Sequence, residues 1–172
     1  MTGRIAAIII ILSAVLVGGA VYYLQVYGYY NEIDPASAEA RVMITRLDGS
    51  AEKLAIEDFR GIDAESSPIR YRACFRLAVQ PERTEFLPYE GAEPLVAPNW
   101  FDCFDAQEIG TALEDGIATI WLGTENHEYG IDRVIAVMPD GRGFSWPQIN
   151  RCGREVFDGK PAPADCPPPP SR

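Results

Sequence analysis

The pattern of apolar and polar positions changes character once along this chain, near residue 30. Residues 5–24 (IAAIIIILSAVLVGGAVYYL) carry no charge, whereas beyond Asn31 apolar and polar positions alternate over short distances. A run without a polar face predicts a helix surrounded by lipid. At 1.5 Å per residue it reaches about 30 Å, the thickness of a bilayer's hydrocarbon core. Tyr22, Tyr23, Tyr27, Tyr29 and Tyr30 crowd its far end. An amphipathic ring gains by sitting between acyl chains and headgroups, so they predict an interfacial belt. Ala14 and Gly18 stand four residues apart, a small-residue spacing that lets a second membrane helix approach closely. Arg4, the apolar stretch 5–17 and the small residues Gly18 and Ala20 also fit an export signal. Apolar character continues past Ala20 and fills a whole span, which favours an anchor that is retained.

Past the span, 31–41 (NEIDPASAEAR) reads as a connector, with Asp34 before Pro35 offering the N-cap and N1 chemistry of a short helix. Short strands are expected at 42–47 and 53–56 around the turn Asp48-Gly49-Ser50. The clearest alternation is at 69–79. Ile69, Tyr71, Ala73, Phe75, Leu77 and Val79 fall on one side, Arg70, Arg72, Cys74, Arg76 and Ala78 on the other, which predicts a strand with one core face and one polar face. Residues 86–89 read as extended, and 93–104 (EPLVAPNWFDCF) as irregular but packed. Asp105 with Glu108 has capping-box spacing and opens a helix through about Leu113, which Gly116 ends. Strands follow at 117–122, 131–138 and 144–149, the last two joined by the hairpin loop Pro139-Asp140-Gly141-Arg142-Gly143.

The fold class is therefore α+β: an N-terminal transmembrane helix, then a small antiparallel sheet domain of about five or six strands with one principal helix, braced by disulfides. The organisation read from the chain is 1–30 for a cytoplasmic stub, membrane helix and aromatic belt, 31–41 for the connector, 42–160 for the α+β domain and 161–172 for a Pro-rich tail.

Charge sets the direction and the compartment. The amino terminus and Arg4 precede the span, and the first charges after it are Glu32 and Asp34. The positive-inside bias then keeps the N-terminus cytoplasmic and puts everything after about Tyr30 on the periplasmic side of the inner (plasma) membrane. All four cysteines, Cys74, Cys103, Cys152 and Cys166, lie in that outer segment, where an oxidising compartment permits disulfides. None forms the close pairs that a redox motif, a zinc site or haem attachment needs. Of three possible pairings, Cys74–Cys103 with Cys152–Cys166 is favoured because it closes the shorter loops. A bond at Cys166 would staple the tail PAPADCPPPPSR, which is too poor in apolar side chains to dock by burial. With 15 Lys and Arg against 25 Asp and Glu, the net charge is −10. Nucleic acid is excluded as a partner, while a basic periplasmic protein such as a cationic electron carrier is permitted.

Few residues offer chemistry. His127 is the only histidine, so any imidazole base or ligand must be this one; a polar loop position is its simpler meaning. Asp102 and Asp105 bracket Cys103 and could pair for acid–base work or a hard cation, although capping already accounts for Asp105. There is no GxSxG, Walker loop, HExxH, calcium loop or kinase motif, so no catalytic residue, cofactor or metal is assigned. Arg70, Arg72 and Arg76 on one strand face are the candidate site for an anion or a carboxylate-bearing partner, since a guanidinium fork matches such groups. A solvated face with ion pairs to acidic neighbours is the alternative.

The span ending in VYYLQVYGYY (21–30), SSPIRYRACF (66–75), EPLVAPNWFDCFDA (93–106), YGIDRVIAVMPDGRGFSWPQINRCG (129–153) and the Cys-Pro-rich end together resemble an uncharacterised family of short single-pass, periplasm-facing envelope proteins of alphaproteobacteria. The resemblance runs almost the length of the chain and implies topology and compartment, not chemistry. About four residues on the cytoplasmic side leave no room for an output domain. The expectation is a non-catalytic accessory or assembly subunit of a larger inner-membrane complex, of which a respiratory or photosynthetic one is compatible with the acidic domain. The alternative is a periplasmic binding module for an anionic small molecule or peptide; an enzyme of unrecognised design ranks third.

Overall fold

A run of apolar side chains without proline has no local competitor to the helix, and α1 spans Gly3–Tyr23. None of its residues is buried. Leu24–Gly28 prolongs it as a π-helical turn, closed by the Tyr29 N–H donating to the Leu24 carbonyl at 3.1 Å, with the Tyr23 and Tyr27 rings stacked 5.9 Å apart. Together Gly3–Gly28 is long and apolar enough to cross a membrane, which fits association with lipid. The structure, a computed structural model, describes residues 3–170. The amino terminus ahead of the span and the last two residues of the Pro-rich tail lie outside the described residues. The chain divides into two compact units, 1–30 and 31–172.

The second unit is built on a six-stranded antiparallel sheet of order β1-β4-β5-β8-β7-β6. Its strands are β1 (Asn31–Glu32), β4 (Ile56–Asp63), β5 (Arg72–Leu77), β6 (Thr119–Glu128), β7 (Ile131–Val137) and β8 (Arg142–Ile149). A separate hairpin of β2 (Met43–Thr45) and β3 (Ala51–Lys53) supplies Val42, Ile44 and Leu54, which pack with Phe75, Trp121, Ile135 and Val137 of the sheet. Side chains alternate across a strand, so the neighbours of these residues serve another layer. There the buried Phe104 ring meets the edges of Phe144 and Trp146 at 5.9 and 6.0 Å. Helix α2 (Ala106–Glu114) buries Ile109 and Ala112. Asp105 caps α2 by accepting from the Gln107 and Glu108 amides, and Gly116, at φ +67°, follows it.

Because both faces are covered, β5 has no polar side over its first half: Arg72, Ala73, Cys74 and Phe75 are all buried. This corrects the expected core-and-polar alternation. The strand is also shorter than 69–79, since Ile69, Arg70 and Tyr71 precede its pairing. β4 was not anticipated; its alternation is interrupted by a register shift between Glu57 and Arg60, with Asp58 at φ +52°. Asp34-Pro35 opens a turn, with the Asp34 carboxylate accepting from the Ala36 amide at 2.9 Å, and no helix follows. Asn31–Glu32 pairs with β4 as the sheet's edge.

The sulfurs pair Cys74 with Cys103 and Cys152 with Cys166. The first ties the irregular 93–104 segment to β5. The second joins the tail to α3 (Arg151–Phe157), a short second helix capped by Asn150 and absent from the sequence expectation. Arg151 and Asp165 form a two-point ion pair at 2.8 and 2.9 Å, and the Tyr129 hydroxyl donates to the Pro167 carbonyl at 3.0 Å.

Candidate functional site

Two consecutive charged residues interrupt the apolar run of β7, and alternation sends them to opposite faces. Asp132 is buried and fully engaged. It accepts from the Tyr89 hydroxyl at 3.0 Å, the Asn126 amide at 2.9 Å and Asn150 Nδ2 at 2.8 Å. Burial and the Asp132 charge hold the Tyr89 phenol well above its ordinary range. Asn126, at φ +45°, accepts in turn from the Gly130 amide and from Asn150 Nδ2. This network locks the β6–β7 turn to the start of α3. Its carboxylate is spent on structure.

Arg133 on the other face is not spent in this way. Its guanidinium carbon lies 3.5 Å from the centroid of the Tyr71 ring, a cation–π contact. Among the described residues no carboxylate lies within 4.0 Å of it. Burial lowers its pKa, opposed by the nearby Tyr71, Asp63 and Glu128, yet a guanidinium stays charged at any ordinary pH. Two hollows meet at this residue. One, of about 270 Å³, is lined also by Glu39, Asp63, Tyr71, Thr124, His127 and Ser145. The other, of about 290 Å³, shares Glu39, Asp63 and His127 and adds Glu32, Glu65 and Glu128.

The side chains here are displaced from their ordinary titration. Burial pushes the Tyr71 phenol up to about 12. Burial also raises the Asp63 carboxyl, outweighing the hydrogen bond it accepts from the Ala64 amide at 2.7 Å. His127 sits below the usual imidazole value, first because the pocket wall desolvates it and second because Arg133 is close. Ser145, 1% exposed, has a buried hydroxyl with no hydrogen-bond partner among the described residues. Buried polar atoms are nearly always paired, so this hydroxyl is an exception within the fold.

The His127 shift has a consequence for acid stability. A depressed folded-state pKa means that the unfolded chain binds more protons below the free value near 6.5, so stability falls as pH drops from there toward the folded value. Thermal unfolding followed from pH 8 to 5 should show the melting temperature of His127→Gln falling less than that of the native chain. Parallel curves would remove His127 from the account. Asp63 acts oppositely, because its raised pKa favours the folded state once it is protonated.

The three arginines singled out from the sequence do not assemble into one open face. Arg72 is 4% exposed. Its guanidinium donates to the carbonyls of Leu95 at 2.8 Å, Ile69 at 2.8 Å, Tyr71 at 2.7 Å and Val96 at 3.1 Å. Arg70 is half-buried ahead of the strand, and Arg76 is exposed. Asp102 is exposed and pairs with Arg60 at 2.8 Å, while Asp105 caps α2, so the two carboxylates serve separate ends. Among the described residues no group of three or more His, Cys, Asp or Glu is placed to hold a metal ion. In the first unit, Tyr22, Tyr23, Tyr27 and Tyr29 are exposed and Tyr30 half-buried. Ala14 is exposed, and a Cβ on Gly18 would meet nothing within 4 Å.

Sequence reasoning missed Arg133, Asp63 and Tyr71 as a group. The available signal was a charged pair inside the apolar run IDRVIAVM. A third hollow, of about 600 Å³, lies between α2 and the β7–β8 turn. Its one cation, Arg142, is held by Glu108 at 2.8 Å and Asp140 at 2.8 Å.

A family model described as "Family of unknown function (DUF6446)" matches residues 42–167. No curated protein and no solved structure matches the chain.

Proposed function

We propose, from the premise that this chain belongs to the family of unknown function DUF6446, that it is a non-catalytic accessory or assembly subunit of an inner-membrane complex. In this reading α1 is the anchor, its N-terminus is cytoplasmic, and the disulfide-braced domain is periplasmic. The observation that supports it best is that a helix of 21 residues has none of them buried. Such a helix needs lipid or other helices around it, and Ala14 and Gly18 leave room for a close neighbour. Arg4 before the span and Glu32 and Asp34 after it support the orientation. Two disulfides suit an oxidising compartment. The net charge of −10 favours a basic partner on the outer side.

Isolation from native membranes in mild detergent should recover the protein with a larger complex. Ala14→Leu with Gly18→Leu should loosen that association while leaving the domain's melting temperature unchanged. Recovery as a lone monomer at native abundance overturns the proposal. The second reading, a periplasmic binding module, is favoured by the Arg133 cluster and not by Arg70, Arg72 and Arg76.

A further inference from the structure

Arg133 is half-buried in the sheet domain with no carboxylate within 4.0 Å among the described residues, and that demands an explanation. Removing a charge from water costs several kcal/mol unless partners replace the lost hydration. An apolar residue would serve folding better at position 133, in register between Thr124 of β6 and Pro147 of β8. The guanidinium carbon lies over the Tyr71 ring. Arg133 lines both hollows, and a guanidinium fork matches the two oxygens of a carboxylate. Thr124 and Ser145 line the same space.

The acids narrow the ligand class further. Glu39 and Asp63 line both hollows beside Arg133. A dianion such as phosphate would meet two carboxylates of its own sign, whereas a molecule carrying an ammonium group next to its carboxylate would satisfy both signs at once. Volumes of about 270 and 290 Å³ lie just below the usual range for drug-sized ligands and suit something smaller. We propose that this cluster is a binding site for a free α-amino acid, its carboxylate on Arg133 and its ammonium between Glu39 and Asp63. The proposal rests on the binding-module reading and is independent of the accessory-subunit one: a domain that binds no amino acid leaves the co-purification result as it was.

Full-length protein in lipid nanodiscs, with both disulfides intact, would be titrated calorimetrically with the common L-amino acids one at a time. Acetate, ethylamine and inorganic phosphate are the comparison probes. At least one amino acid should bind, and about tenfold or more tighter than acetate or ethylamine, with phosphate inert. Arg133→Lys keeps the charge but loses the fork, and should weaken binding about tenfold or more. Asp63→Asn should weaken the amino acid without weakening acetate, and it carries the test should Arg133→Lys fold poorly. The proposal is overturned if no amino acid binds below about 10 mM, if acetate or phosphate binds as tightly, or if the well-folded variant binds like the native chain.

Discussion

Arg72→Ala should lower the stability of the sheet domain by about 3–5 kcal/mol, the cost of stripping a buried charged donor from its partners. The guanidinium donates to the Leu95 and Val96 carbonyls from across the fold, and it also holds those of Ile69 and Tyr71. Alanine cannot replace any of these bonds, and it leaves a space beside Phe104, whose ring centroid lies 5.9 Å from the guanidinium. The irregular 93–104 segment would then be held chiefly by Cys103 and by its buried aromatics. For a domain of this size the melting temperature should fall by roughly 10–20 °C, read by thermal unfolding with the disulfides intact. Arg72→Lys should recover only part of the loss, because a point charge cannot span four carbonyls. Arg76→Ala, on an exposed position of the same strand, should stay within about 0.5 kcal/mol of the native chain. Equal effects of the two alanine variants would refute the structural role assigned to Arg72.

Gly153→Ala should be comparably damaging, by about 3 kcal/mol or more, although it adds a single methyl group. A Cβ at 153 would overlap the Gly130 carbonyl oxygen and lie 2.9 Å from its carbon. Both are backbone, so neither can swing aside. Gly130 itself takes φ +77°, and its carbonyl accepts from the Asn150 amide at 3.0 Å. Moving α3 outward would therefore strain that bond, the Asn150 cap on Gly153 and the Asn150 bond to Asp132 together. The same substitution at Gly110 in α2 meets only Pro94 Cδ at 4.0 Å. There alanine should be neutral or should stabilise by up to about 1 kcal/mol through helix propensity. Unfolding curves of the two variants side by side check the contrast. A native-like Gly153→Ala would mean that α3 is not seated against the β6–β7 turn.

What could be read in advance follows a physical divide. The apolar span, the Asp105 cap, the Gly116 stop and the turn at Pro139-Asp140-Gly141 have local causes: composition, or the stereochemistry of one or two residues. β4 escaped because a bulge at Glu57–Arg60 destroys the period of two that marks a strand. α3 escaped because seven residues are too few to show a helical period. The polar face expected on β5 failed for another reason. Alternation reports that two faces differ, and it cannot report that a distant segment will cover the second.

The candidate site lies wholly on the far side of that divide. Arg133 and Tyr71 meet across 62 positions of chain, and nothing near either residue in sequence foretells the other. By itself, the amino-acid order determined that this protein has a helix able to cross a bilayer, cysteines suited to an oxidising compartment and an α+β domain, since hydrophobic length, residue chemistry and short-range periodicity act without knowledge of the fold. Only the tertiary structure decided which arginine is a strut and which faces a cavity, because that depends on which remote backbone carbonyls or carboxylates packing brings within hydrogen-bond reach of each charge.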